Sequence, residues 1–212
     1  TRIVAVTQIS NVLGILNPVK EIVSVCHSVG CPVLIDGAQG MVHEGVDVQD
    51  VDCDFYAFSG HKLYAATGTG VLYGKRKWLD QMVPYQDGGE MIATVRFSGT
   101  TYAPLPEKFE AGTQNINAIP TLEPAIEMLK LLKDKELLNA QEAVSQYLLH
   151  ALTSNPRIRL YGVPRGTETK IPLFSFSVEG AHHEDLALIL DKMGIAVRSG
   201  QICAEPLMDR FG

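Results

Sequence analysis

The sequence has no long apolar run, no excess of basic residues and only four cysteines. Its 212 residues include 18 Lys and Arg against 24 Asp and Glu, for a net charge of −6. Binding to the phosphate backbone of a nucleic acid needs a concentrated excess of Lys and Arg, so we expect no nucleic-acid partner. No apolar run reaches the roughly 18 residues of a membrane-spanning helix, and no signal-peptide arrangement opens the chain. We therefore expect a soluble, cytoplasmic protein with no membrane partner.

The cysteines and histidines lack the spacing of a metal site or a disulfide framework. No CxxC pair occurs among the cysteines, and no ligand spacing relates the histidines, so we predict reduced thiols and no metal. Three cysteines are predicted to be packing residues or incidental thiols: Cys26, Cys31 and Cys53. His27 is predicted to be an ordinary surface or boundary residue.

The first half of the chain alternates short β-rich runs with helical patterns, which is typical of βαβ units and a mainly parallel sheet. Apolar residues recur at helical spacing after Pro18, and Gly30 supplies a left-handed stop, which predicts a helix between them. Strands are predicted over residues 3–6, 32–35, 54–58 and 70–73.

The second half has a different pattern. Periodicity fails between residues 85 and 113, which predicts long functional loops. Helices are predicted over residues 119–133, 135–152 and 184–192, the last one stopped by Gly194, and strands over residues 158–161, 173–178 and 195–197. The predicted fold class is α/β, with a partial large domain over residues 1–118 and a partial small α+β domain over residues 119–212.

The start of the chain favours a piece of a longer protein. The sequence begins without Met, in an apolar strand that would normally have sheet neighbours on both sides. We therefore expect both predicted domains to be incomplete.

A cluster of polar and reactive residues, Ser59-Gly60-His61-Lys62, follows the third predicted strand, where α/β sheets place their ligand sites. A lysine that forms a Schiff base benefits from a partly desolvated pocket with phosphate-binding neighbours. Ser59 and His61 are suitable phosphate donors. Taken alone, this pattern is more often a surface loop with a solvated lysine.

A second cluster, Asp36-Gly37-Ala38-Gln39, ends the second predicted strand. A carboxylate there is costly unless it is paired, and a protonated pyridine nitrogen is one suitable partner. Gln39 could hydrogen-bond a ring hydroxyl. The alternative is that Asp36 caps a turn or a helix.

Together with Phe109-Glu110-Ala111-Gly112-Thr113 and RSGQICAEPLM over residues 198–208, these motifs resemble the class V aminotransferase superfamily, in its SufS-like cysteine desulfurase and selenocysteine lyase branch. The resemblance covers essentially the whole chain and implies pyridoxal 5'-phosphate as cofactor. It implies these cofactor contacts: Asp36 to the pyridine nitrogen, Gln39 to the ring oxygen, Ser59 and His61 to the phosphate, Lys62 in the covalent linkage, and Thr113 to the phosphate bound in a neighbouring subunit. The last contact implies a homodimer.

The resemblance also assigns substrate contacts. Asn11 would lie near the substrate carboxylate and the cofactor, Arg198 would grip the substrate carboxylate, and Cys203 would accept the substrate sulfur as a persulfide. Arg198 is a good chemical match for this role, because a guanidinium binds a carboxylate through two parallel hydrogen bonds. A lone cysteine is more often a small buried hydrophobe than a nucleophile, but Gly200 and Pro206 favour a loop around Cys203.

The implied activity converts L-cysteine to L-alanine and passes the sulfur to an acceptor protein for iron–sulfur cluster assembly. Two alternatives remain open: a lyase that acts on L-selenocysteine, and a non-catalytic interaction module of the same fold. Many relatives have His-His where this chain has Gln201-Ile202, and the family's N-terminal ring-stacking histidine and second C-terminal arginine are not in this sequence. We therefore expect this chain alone to bind the cofactor weakly or not at all.

Overall fold

A four-stranded sheet organises the first part of the chain in the computed structural model, which describes residues 1–134, 137–163 and 170–211. Its strands lie in the order of the sequence: β1 (Val4–Thr7), β2 (Val33–Asp36), β3 (Phe55–Ser59) and β4 (Gly70–Gly74). The pairs β1–β2 and β2–β3 are parallel, and β4 runs antiparallel to β3. This confirms the prediction of a mainly parallel α/β sheet.

Helix α1 (Val19–Ser28) joins β1 to β2 and covers the sheet. It begins after Pro18, and Gly30 adopts the predicted left-handed conformation (φ +71°) just beyond its end. Buried side chains from α1, β2 and β3 form the core, together with the residue two positions before β3: Val19, Val23, Val33, Ile35, Cys53 and Tyr56. Apolar burial of this kind, at roughly 25 cal/mol per Å², is the main force that holds the sheet and helix together.

Shorter elements connect the strands of this sheet and follow it. They are the helices α2 (Gly40–His43), α3 (Val48–Val51) and α4 (Arg76–Leu79), and 3-10 turns at Gly60–Leu63, Glu107–Phe109 and Ile119–Thr121. Between them lies a β-hairpin, β5 (Ile92–Arg96) and β6 (Gly99–Tyr102).

The hairpin corrects the prediction that residues 85–113 form loops alone. Both Val95 and Phe97 are exposed, so the hairpin buries no apolar face and its sequence shows no alternation. Backbone pairing and a hydrogen bond of 2.6 Å between the Thr94 and Thr101 hydroxyls hold it instead.

The remaining elements are α5 (Leu122–Asp134), α6 (Leu137–Thr153), the antiparallel pair β7 (Ile158–Tyr161) and β8 (Ser175–Val178), α7 (His183–Lys192) and α8 (Glu205–Phe211). Gly194 ends α7 with φ +78°, as predicted. The predicted strand at residues 195–197 is wrong: this segment pairs with no strand in the described part of the chain, and Ile195 and Val197 are exposed. Apolar composition without a sheet neighbour does not make a strand.

The chain divides into two units, each with its own internal contacts. The first comprises Thr1–Gln8 with Pro18–Leu131, and the second comprises Ile9–Asn17 with Leu132–Gly212. A short segment from early in the sequence is thus part of the second unit. The predicted boundary between residues 118 and 119 stays a prediction. None of the described helices is both long and apolar enough to cross a membrane.

A buried carboxylate, that of Asp54, ties α1, β2 and α4 to the amino end of β3. Its side chain is 1% exposed. It accepts hydrogen bonds from the His27 ring (2.7 Å), the Trp78 indole (2.6 Å) and the Val33 amide (2.9 Å). Burial alone would raise the pKa of Asp54, but these donors outweigh it and lower the pKa to about 2. The carboxylate is therefore charged and fully paired in the folded protein.

We predict that Asp54→Asn lowers the free energy of unfolding by about 3 kcal/mol at neutral pH, because it removes the charge that these donors surround. Urea denaturation measures this loss. Asp50→Asn is the matched control, since Asp50 forms only an exposed ion pair with Lys20 and should change stability by less than about 0.5 kcal/mol. Equal losses in the two variants would contradict the assignment.

The same carboxylate predicts a pH dependence. Because the pKa of Asp54 is lowered from its ordinary value of 3.8 to about 2, the carboxylate contributes about 2 kcal/mol above pH 4, and this contribution disappears as the pH falls toward 2. Urea denaturation between pH 6 and pH 2.5 should show this loss in the parent protein, and a smaller one in Asp54→Asn.

Candidate functional site

The carboxyl ends of three parallel strands lie at one edge of the sheet in the first unit. Asp36, the last residue of β2, pairs with Thr7 of β1 and Ala57 of β3. Ser59, two residues after Ala57, ends β3. The 3-10 turn Gly60–Leu63, which contains His61 and Lys62, follows at once. The sheet therefore brings the two predicted clusters to the same edge, where α/β proteins bind ligands.

The side chains at this edge are accessible. Asp36, His61 and Lys62 are exposed, and Gln39 and Ser59 are partly exposed. The Asp36 carboxylate accepts a hydrogen bond of 2.9 Å from the Ala38 amide, which is the turn-capping role that the sequence left open. A carboxylate has about four acceptor positions, so this bond leaves room for another donor. Asp36 can therefore shape its turn and still face a ring N–H.

A buried pair of side chains lies beneath the turn after β2. The Tyr56 hydroxyl donates to Gln8 Oε1 at 2.6 Å, and burial raises the pKa of Tyr56, which keeps it neutral and able to donate. A Cβ on Gly37 would lie 2.0 Å from Tyr56 Cζ, and one on Gly40 would lie 2.0 Å from Gln8 Oε1. The turn rests directly on this pair, and only glycine fits at both positions.

Sequence reasoning missed Gln8 and Tyr56. The spacing of Gly37 and Gly40 was the available signal, because paired glycines beside a strand end often indicate a close approach of the backbone to another group. Nothing in the local pattern around Gln8 predicts its contact with Tyr56.

The turn that carries Lys62 is also anchored. The Gly60 amide donates to Thr69 O at 2.9 Å, and a Cβ on Gly60 would lie 2.1 Å from Thr69 Oγ1. The Ala66 amide donates to Thr121 Oγ1 at 2.9 Å. These bonds fix both ends of the exposed segment, so the positions of His61 and Lys62 are set by β3, by the residue that precedes β4 and by the 3-10 turn Ile119–Thr121.

Thr113 lies in the first unit, in the loop that follows the hairpin. It is exposed, and the neighbouring Gly112 amide donates to Gly89 O at 2.9 Å. Its predicted contact with a phosphate in a neighbouring subunit stays a prediction.

The other predicted residues lie in the second unit. Arg198 and Cys203 are exposed, whereas the Cys31 and Cys53 thiols are buried and Cys26 is half-buried. Cys203 lies in a turn that the Ala204 amide closes by donating to Gln201 O at 3.0 Å. The structure brings one predicted residue to this turn: Asn11 Nδ2 donates to Ile202 O at 2.8 Å.

These features define an α/β protein with a candidate ligand site at the carboxyl ends of parallel strands. The family model "Aminotransferase class-V" matches residues 1–212, so the chain belongs to the class V aminotransferase family.

Several curated relatives of this chain are named cysteine desulfurases or probable cysteine desulfurases. The chain is 46% identical over 213 residues to a cysteine desulfurase of Pectobacterium atrosepticum, and 45% identical over 212 residues to a probable cysteine desulfurase of Vibrio cholerae. Each match covers 100% of this chain and 51% of the relative. The chain thus spans about half the length of the curated relatives it matches.

Two solved structures of cysteine desulfurases have a similar fold. The fold is similar to that of the Escherichia coli cysteine desulfurase CsdA in an S-sulfonic acid form, with a TM-score of 0.87, 41% identity, and coverage of 100% of this chain and 52% of that one. It is also similar to an apo cysteine desulfurase of Thermococcus onnurineus, with a TM-score of 0.87, 34% identity, and coverage of 99% and 52%.

We predict that Gly37→Ala destabilises the protein by about 2 kcal/mol or more, because the new methyl group would overlap the buried Tyr56 ring. Thermal unfolding measures the loss. Gly89→Ala is the control, since a Cβ there meets nothing within 4 Å. If the two variants melt at the same temperature, the close packing beneath the turn is disproved.

Proposed function

We propose that the complete protein is a pyridoxal 5'-phosphate-dependent cysteine desulfurase, which converts L-cysteine to L-alanine and collects the sulfur on Cys203. The observation that carries this proposal is that an acid, Asp36, ends β2 and an amine, Lys62, directly follows the adjacent parallel strand β3 at the same edge of the sheet. The relatives' shared name supports the choice of reaction.

The donor set at this edge fits the cofactor. Asp36 retains acceptor capacity for a protonated ring nitrogen, and Lys62 offers an amine for a covalent bond to the aldehyde. Ser59 and His61 offer a hydroxyl and an imidazole for the phosphate, and Gln39 offers an amide for the ring oxygen. Thr113 of a second subunit would complete the phosphate site, which is our reason to propose a homodimer.

When bound, the cofactor supplies an electron sink for the charge that develops at the substrate Cα. Asp36 would hold the proton on the ring nitrogen and so keep that sink effective. The amine of Lys62, once released from its covalent bond by the incoming substrate, would accept the Cα proton. Asn11 and Arg198 would orient the substrate through its carboxylate.

Cys203 would act on the substrate sulfur. Its thiolate forms an S–S bond to that sulfur as the substrate Cβ–S bond breaks. The electron pair of the broken bond stays with the substrate, which takes up protons and leaves as L-alanine. Cys203 then holds a persulfide.

The exposure of Cys203 supports the next step in the proposal, which is transfer of the sulfur to an acceptor protein for iron–sulfur cluster assembly. An exposed turn lets a second protein reach the persulfide, whereas a buried thiol could not transfer it. Reduced cysteines throughout the chain would suit a cytoplasmic location.

In the complete protein, Lys62→Arg should abolish the visible absorbance of covalently bound cofactor, because a guanidinium keeps the charge but does not form the bond. Lys20→Arg is the control for a lysine outside the site, since Lys20 pairs with Asp50 at the surface. An unchanged spectrum in Lys62→Arg would refute the assigned lysine.

Cys203→Ser should keep the cofactor spectrum and reduce sulfide release from L-cysteine by at least about a hundredfold, because a hydroxyl is a far poorer nucleophile toward sulfur. Release is measured with a reducing agent present. Normal turnover in this variant would show that another group attacks the sulfur.

A further inference from the structure

The segment Ile9–Asn17 lies between β1 and α1 in the sequence but belongs to the second unit. The Ile171 amide donates to Gly14 O at 2.9 Å, and the Ser175 hydroxyl donates to Val12 O at 2.5 Å. The Lys170 ammonium donates to Leu13 O. Three consecutive carbonyls of the segment are therefore bonded to residues in and just before β8.

The segment is also braced internally. Ser10 Oγ accepts from the Leu13 amide at 3.0 Å, and Ser10 O accepts from the Gly14 amide at 3.0 Å. Gly14 adopts φ +70°, which a side chain would disfavour. Asn11 lies inside this closed turn, so its backbone is fixed relative to β8 and the residues just before it.

The turn that carries Cys203 has an unusual backbone. Ile202 has φ +49° and Cys203 has φ +60°. Left-handed conformations are disfavoured for residues with a Cβ, and for a β-branched residue such as Ile202 they are rare. Two consecutive residues keep this conformation only where surrounding bonds hold them in it.

Asn11 supplies such a bond. Its Nδ2 lies 2.8 Å from Ile202 O, which is the carbonyl directly before the Cys203 amide. The donor comes from a fixed segment far away in sequence, and the acceptor lies between the two left-handed residues.

We propose that Asn11 is a positioning residue for Cys203: it holds the Ile202 peptide and thereby sets the direction of the thiol. This role is distinct from the substrate contact that family resemblance implies for Asn11. Its catalytic consequence rests on the proposed function, but its structural consequence does not.

The test compares Asn11→Asp and Asn11→Ala in the complete protein with its cofactor. Asp matches Asn in size but has no side-chain donor, so both variants lose the bond to Ile202 O. Hydrogen exchange of the Ala204 amide, which closes the turn, should become about tenfold faster in both. Asn155→Ala is the control, because it removes a bond to the Arg157 amide in the same unit and should leave Ala204 unchanged.

Kinetics give the second readout. A misdirected thiol should lower kcat for sulfide release by about tenfold or more, in addition to any rise in the KM for L-cysteine that loss of the proposed substrate contact causes. Unchanged exchange at Ala204, with a raised KM, would overturn the proposal and leave Asn11 as a substrate contact alone. If Lys62→Arg keeps the cofactor spectrum, the proposed function fails, while the exchange result still decides the role of Asn11.

Discussion

Parallel hydrogen bonding among β1, β2 and β3 is the constraint on which the first unit depends. It places the carboxyl ends of the three strands at one edge, and the register of β2 on β3 sets Asp36 beside Ala57. A shift of one residue would turn Asp36 to the other face of the sheet. Burial of α1 against β2 and β3 holds this register, because each strand can satisfy the core in only one alignment. Core packing thus places the acid at the end of β2 and the amine just after the adjacent strand β3, at the same edge of the sheet.

The two ends of β3 have different physical roles. At the amino end, the carboxylate of Asp54 is buried, and donors from three other elements compensate the loss of its hydration. At the carboxyl end, Ser59 leads into a turn whose polar side chains are exposed. The first end is thus held by buried hydrogen bonds, whereas the second presents the polar side chains of His61 and Lys62 to a ligand. The buried Gln8–Tyr56 pair lies beneath the turn after β2. Its close contact explains why that turn contains Gly37 and Gly40.

Local patterns in the sequence predicted much of this structure. Alternating strand and helix signals located the sheet, and the stop at Gly30 located the end of α1, because both follow from neighbouring residues. The hairpin at residues 92–102 was missed, since exposed strands carry no apolar alternation. The strand predicted at residues 195–197 was wrong, since strand formation requires a partner that composition cannot reveal. The bond from Asn11 to Ile202 joins residues from opposite ends of the chain and depends on the fold alone. Sequence motifs thus predicted which side chains form the candidate site, whereas the contacts that orient those side chains depend on the fold.

In the proposed function, Lys62 is the residue that binds the cofactor covalently. Borohydride reduction of the complete, cofactor-loaded protein, followed by proteolysis and mass spectrometry, tests this most directly, because reduction makes such a bond permanent. We predict that the added mass is found on the peptide that contains Lys62. Its appearance on a peptide with another lysine, or on none, would contradict the central claim.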